Sequence, residues 1–262
     1  MKIITFLTDF GTKDGYVAQM KGVASTITDA KLIDITHDIT SHNIREGAFT
    51  LRSVVQYFPI GSVHVAVVDP GVGTERKGIL IATKRHILIG PDNGLLIPAA
   101  RYLGDFIVYE ISNEKYMLNP VSSTFHGRDI FTPVAAHIIN GVLFEEIGHR
   151  INDFVDLDFG QAEIKNNSAT GKIIYIDRFG NVITNITSDI LLKGLNYNRK
   201  IMLFVGKKCL EIPFVKSYGF VRKRSMLATI GSSNFLEIDI NQGNAAKKLT
   251  VKENDDIKIL FN

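Results

Sequence analysis

IITFLTDFGTKD, residues 3–14, joins a continuous apolar run to a polar loop. Ile3 to Leu7, broken only by Thr5, has the composition of a strand buried on both faces of a parallel sheet. From Asp14 to Thr28, the spacing of Val17, Met20, Val23, Ala24 and Ile27 predicts a helix. Lys31–Thr36 reads as a second strand. Ile44, Ala48, Leu51, Val54, Val55 and Phe58 mark a second amphipathic helix, closed by Pro59, and Val63–Val68 reads as a third strand. The β-α-β-α-β order predicts an α/β N-terminal domain with a largely parallel sheet, placed at residues 1–160. Further strands are expected at Gly78–Thr83, His86–Ile89 and Phe106–Ile111, and a helix at Asp129–Ile139.

The pattern then changes. Residues 160–170, GQAEIKNNSAT, are polar and aperiodic and read as a linker. Strand-like runs follow at Lys172–Ile176, Asn181–Ile186, Ile201–Val205, Cys209–Pro213, Phe235–Ile240 and Ile257–Leu260, several separated by turn signals. They predict a smaller all-β C-terminal domain at 171–262, a sandwich or barrel.

Bulk composition narrows the function classes. The chain has 262 residues and a formal net charge of +3, and its densest basic run is only Arg222-Lys223-Arg224, a poor nucleic-acid footprint. No stretch approaches the roughly 20 apolar residues of a membrane span. The N-terminal apolar run is too short for a signal segment. Cys209, the only cysteine, fits a reducing compartment, so a cytoplasmic protein without nucleic-acid or membrane partners is expected.

Polar clusters follow the strands. The first strand runs into Thr8-Asp9-Phe10-Gly11 and Asp14, the third into Asp69-Pro70-Gly71-Val72-Gly73-Thr74-Glu75-Arg76. Open α/β sheets bind ligands outside the carboxyl ends of their strands, so both loops should open on one edge. Asp9 is suited to accept ribose hydroxyls, whereas Asp14 either opens the helix or meets ligand. The loops lack the glycine fingerprints of phosphate cradles. Asp69 and Arg76, with His126 of STFHGRD (residues 123–129), form a set able to orient a water and stabilise it as hydroxide. The seven histidines show no zinc spacing and there is no G-x-S-x-G elbow, so neither a metal nor a serine nucleophile is expected. In the second half, YIDRFGN (residues 175–181) is either a strand–turn–strand or a site in which Asp177 faces an ammonium and Asn181 reads a base.

Taken in order, TDFGTKDGYVAQMKG, VVDPGVGTERKG, GPDNGLL, STFHGRDIFTPVAAH, YIDRFGNVITNI and GSSNFLEIDINQGNAA resemble the S-adenosylmethionine-dependent hydroxide adenosyltransferases, relatives of the fluorinases and chlorinases. The resemblance spans nearly the whole chain. It implies a barrel-like C-terminal domain and a homotrimer with sites between subunits. It also implies hydrolysis of S-adenosylmethionine to adenosine and L-methionine, with S-adenosylmethionine as substrate and no cofactor. On that likeness Asp69, Arg76 and His126 are catalytic. Asp9 holds the ribose, Asp14, Asp177 and Ser232 the amino-acid end, Asn181 the adenine edge, and Tyr218 its face. The halogenating relatives carry another residue where Asp69 stands, and the fluorinase has a halide-binding Ser where Gly127 stands. The competing expectations are therefore a halogenase of the same fold and a non-catalytic adenosine or S-adenosylmethionine sensor.

Overall fold

The computed structural model describes residues 2–261, so the outermost limits expected for the two domains, Met1 and Asn262, lie outside the described residues. The chain forms two compact units that divide between Asp158 and Phe159.

The first unit runs β1 (Ile3–Thr8), α1 (Tyr16–Ile27), β2 (Lys31–Thr36), α2 (Ile44–Val54), β3 (Val63–Val67), β4 (Gly78–Thr83), β5 (Ile87–Pro91), α3 (Ile97–Leu103), β6 (Phe106–Glu110), α4 (Thr132–Ile139), α5 (Phe144–Ile147) and β7 (Arg150–Ile151). The sheet order is β2-β1-β3-β5-β4-β6-β7. The β2-β1-β3-β5 half is parallel, and β4, β6 and β7 add an antiparallel extension. Every residue of β1 and β3 is buried, as their unbroken apolar runs require. Ile4, Phe6, Val63, Val65 and Val67 pack with Met20 and Ala24 of α1 and with Val134, Ala135 and Ile138 of α4. On the opposite face α2 approaches so closely that a Cβ on Gly47 would come within 2.8 Å of Leu95 and 3.1 Å of Val68.

The second unit contains β8 (Glu163–Lys165), β9 (Ser168–Ile176), β10 (Val182–Thr187), α6 (Ser188–Leu191), β11 (Arg199–Val205), β12 (Lys208–Phe214), β13 (Met226–Ile230), β14 (Phe235–Ile240), α7 (Ala245–Leu249) and β15 (Asp256–Phe261). Pairing of β10 with β9 closes seven strands into a barrel, and β8 extends from β9. The barrel is filled by Ile173, Val182, Leu203, Phe214, Leu236, Ile238 and Ile259, among others.

Three local differences from the sequence pattern have simple causes. Residues 163–170, within the segment read as a linker, belong to the β8–β9 hairpin. Its tip residues Asn166 and Asn167 both have positive φ, and Glu163–Lys165 is exposed, so no apolar alternation marks it. Helix α3, absent from the sequence reading, is only seven residues long and opens with an apolar, buried first turn. The helix expected from Asp129 starts instead as a π-turn over Gly127–Phe131 before α4 begins at Thr132.

Under the α2 face, His64 and His86 are fully buried with their rings 5.1 Å apart. His64 Nδ1 lies 2.7 Å from the Thr5 hydroxyl. Burial holds His64 down to about 3, and it lowers His86 too, so both are neutral in the folded chain near pH 7. Because the unfolded histidines titrate near 6.5, stability is complete above that pH and falls as pH drops toward 3. The loss is about 1.4 kcal/mol per pH unit for His64, and His86 acts in the same direction. Denaturant unfolding at pH 7, 5.5 and 4.5 should show this decline, and His64→Leu should reduce its slope by one histidine's share.

Candidate active site

β1 and β3 are paired in parallel with Thr8 opposite Val67, so the loops after them emerge side by side. The first loop is tied to the end of β2. The buried Thr8 hydroxyl meets His37 Nδ1 at 2.8 Å and accepts from the Phe10 amide, while the Gly11 amide donates to the His37 carbonyl. Gly11 has φ +66°, which a side chain would resist. Asp9 accepts the His42 amide at 2.9 Å and is half-buried. Asp14 is exposed and lies outside α1, whose N-cap is Gly15, so it does not cap the helix.

The second loop folds back on itself through Thr74, whose amide and hydroxyl both donate to the Gly71 carbonyl. That return brings Arg76 against Asp69. Arg76 Nε donates to both carboxylate oxygens, at 3.1 and 2.9 Å, and Nη2 also reaches the carboxylate. Asp69 is 4% and Arg76 11% exposed. The guanidinium lies over the buried Phe131 ring, 5.2 Å from its centroid.

His126 joins this pair from the turn before α4. Arg76 Nη2 stands 2.8 Å from His126 Nδ1. A guanidinium only donates, so Nδ1 is the acceptor and the imidazole proton sits on Nε2. His126 is thus neutral with one N–H to offer. Burial, and then the Arg76 charge, lower its pKa; Asp69 and Asp129 act in the opposite sense.

The segment carrying His126 is clamped from below. Arg128 donates to both oxygens of the buried Asp129 at 2.6 and 3.0 Å and to Gln19 of α1 at 2.8 Å, and Asp129 accepts the Ser122 amide. Thr132 donates to the Gly127 carbonyl and closes the π-turn. Nearby, Phe10, Tyr16 and Phe125 meet edge to face around a cleft of about 360 Å3. The sequence reading overlooked this clamp and cleft, because singly Gln19, Arg128 and Phe125 look like ordinary helix and turn residues.

In the second unit, the turn after β9 presents Asp177. One oxygen accepts the Phe179 and Asn181 amides, and the other accepts the Asn181 side-chain amide at 2.9 Å. Asn181 also donates to the Tyr218 hydroxyl at 3.3 Å. Phe179, 73% exposed, and Tyr218 border a cleft of about 590 Å3 with Asn181, Ile240, Asn241 and Gln242. Two aromatic faces beside an amide suit a planar heterocycle. Ser232 is exposed in the turn between β13 and β14. Burial and neighbouring acids raise the Tyr218 pKa. Glu237, which the sequence reading left without a role, is pushed up to about 7 by burial and then by Asp177.

Thus the Asp69, Arg76 and His126 side chains form one hydrogen-bonded array in the first unit, and Asp177, Asn181 and Tyr218 form another in the second. Residues 4–148 match the N-terminal domain, and residues 171–258 the C-terminal domain, of the SAM hydroxide adenosyltransferases. The chain belongs to this family. Within it, the chain is 42% identical to the (R)-S-adenosyl-L-methionine hydrolase of Methanocaldococcus jannaschii, over 100% of this chain and 97% of that one. It is 25% identical to a fluorinase of Nocardia brasiliensis, over 98% and 96%. A crystal structure of a conserved Thermotoga maritima protein matches with a TM-score of 0.94 and 38% identity, covering 98% of this chain and 100% of that one.

The array depends on close approach of two loops at Gly73. A Cβ there would overlap the Ser123 carbonyl oxygen, and Gly73 has φ +76°. Gly61, with φ +86°, has open space around it. Alanine at both sites shares the backbone penalty, so Gly73→Ala should cost about 1–3 kcal/mol more than Gly61→Ala. Chemical denaturation of the two variants measures the difference.

Proposed function

We propose that this chain is an adenosine-forming S-adenosyl-L-methionine hydrolase, and the Asp69–Arg76–His126 array is the observation that carries the reading. Family membership and the 42% identical hydrolase support it. The array brings together a buried carboxylate, a guanidinium and a neutral imidazole bearing one N–H. Water is a poor nucleophile, with a pKa of about 15.7. In the proposed step Asp69 accepts a proton from the attacking water. His126 Nε2–H and the Arg76 charge stabilise the oxygen as it gains hydroxide character. The oxygen bonds to the ribose 5′ carbon while the C5′–S bond breaks and its electron pair passes to sulfur. The sulfonium leaves as the neutral thioether of L-methionine, and the new C5′–O bond completes adenosine. Charge is neutralised along the path, which a site poor in bulk water favours.

A halide is a worse fit as nucleophile. The Asp69 carboxylate repels an anion, and Gly127 has no hydroxyl to offer it. Asp9 is assigned to the ribose hydroxyls, Asn181 to the adenine edge and Tyr218 to its face. Asp14, Asp177 and Ser232 are assigned to the methionine portion. No cofactor is required by these roles. Incubation with S-adenosylmethionine in heavy-oxygen water should give adenosine labelled at its 5′-hydroxyl. Asp69→Ala and His126→Ala should each lower kcat by about 10²–10⁴. Unlabelled adenosine, 5′-chloro-5′-deoxyadenosine in its place, or full turnover by Asp69→Ala overturns the reading.

The assigned ligands come from both units, and the reading includes a cytoplasmic homotrimer in which each site takes its halves from two neighbouring chains; cyclic closure is a common assembly. Co-refolding Asp69→Ala chains with Asp177→Ala chains checks this. In a shared site some pairings unite two intact halves, so activity returns. Mixed trimers without activity, formed from variants that each assemble alone, argue for a site within one chain.

A further inference from the structure

Beside the loop that carries Asp9, a buried histidine has no role in the mechanism above. The pairing of β1 with β2 slips by one residue: Phe6 stands opposite Asp34, but Leu7 stands opposite Thr36, so Ile35 is an extra residue in β2. Insertions of this kind re-aim side chains, and they are rare between parallel strands. In a regular strand, residues three apart point to opposite faces. Past the slip, His37 Nε2 instead lies 3.0 Å from the Asp34 carboxylate. The other ring nitrogen, Nδ1, meets the Thr8 hydroxyl at 2.8 Å. His37 is 5% exposed and Thr8 is fully buried.

The charges fix the roles along this line. Lys21 donates to the other oxygen of Asp34. Burial opposes the Asp34 charge, but Lys21 and His37 outweigh burial and lower its pKa, so it faces His37 as a carboxylate near pH 7. A carboxylate only accepts, so the imidazole proton sits on Nε2, and Nδ1 accepts from Thr8. Thr8 Oγ in turn accepts the Phe10 amide, and the Gly11 amide donates to the His37 carbonyl. These bonds bracket Asp9. From the same segment His42, at φ +67°, directs its amide to Asp9 Oδ2 and leaves Oδ1 outside the network. A carboxylate held in one direction can meet both hydroxyls of a sugar, whereas one free to turn would lose part of that advantage to its own ordering.

We infer that His37 is a positioning residue: acting through Thr8, it fixes the direction of the Asp9 carboxylate and so sets selectivity for a ribose that bears both hydroxyls. This inference rests on the hydrolase reading, which assigns Asp9 to the ribose, and adds the residue that orients it.

Binding to the full assembled chain tests it without turnover. Calorimetry compares adenosine with 2′,3′-dideoxyadenosine, which lacks both hydroxyls, and the wild-type chain should prefer adenosine. His37→Leu fills the space without a polar nitrogen. It should cut the preference roughly ten- to a hundredfold, the range for a lost hydrogen bond to a charged group, while dideoxyadenosine affinity stays unchanged. His37→Asn places an acceptor where Nδ1 stands and should restore most of the preference. His37→Gln, whose amide reaches toward Asp34 instead, should not. A residue that only filled space would not separate Asn from Gln. Thr8→Val keeps the shape of Thr8 and provides the reading if His37→Leu is misfolded. An undiminished preference in folded His37→Leu or Thr8→Val, or no rescue by Asn, overturns the role of His37. No preference in the wild type overturns it together with the placement of Asp9 on the ribose. The expected pattern in a chain that fails to hydrolyse S-adenosylmethionine overturns the hydrolase reading alone.

Discussion

The Asp69–Arg76 ion pair is the constraint on which the candidate site hangs. Both groups are nearly sealed from water, and the guanidinium meets the carboxylate through more than one nitrogen. Such a pair is costly to bury but costlier to break, since removing one partner leaves a charge stranded at about 3–5 kcal/mol. The loop between the two residues must therefore return on itself, which the Thr74–Gly71 bonds and the positive φ of Gly73 allow. Arg76 then has a nitrogen left for His126, and that contact fixes the proton on Nε2. One pair thus sets the loop's path, the position of His126 and its tautomer.

The same pair explains why the segment before α4 is built as it is. His126 must reach Arg76 while the chain turns into a buried helix. The π-turn at Gly127–Phe131 supplies the extra backbone, and Thr132 closes it on the Gly127 carbonyl. Arg128 and Asp129 hold the turn from beneath, and Phe131 packs under the guanidinium. Secondary structure, packing and proton placement are coupled across seven consecutive residues.

The barrel's candidate site follows a different logic. Around Asn181 it is open and aromatic, and its polar groups already bond to one another through Asp177. Behind Tyr218 it is closed, acidic and partly unsatisfied. The first environment suits a flat, neutral ring.

Much of this was legible in the order of residues. The continuous apolar runs of β1 and β3, and the helical spacing of Met20 and Ala24, are direct images of burial, so the α/β layering could be read without coordinates. Strand ends followed by Asp9 and Asp69 located the candidate site's edge, because parallel strands must all point their carboxyl ends one way. The β8–β9 hairpin was not legible, since exposed strands carry no apolar alternation. Closure of the barrel through β9 and β10 was not legible either, because strand pairing depends on which edges meet rather than on any local pattern. The tautomer of His126 and the burial of Asp239 required tertiary structure for a related reason. Each is set by neighbours dozens of residues away, or by a covering segment, and a side chain's solvation is a property of the folded surface rather than of its place in the sequence.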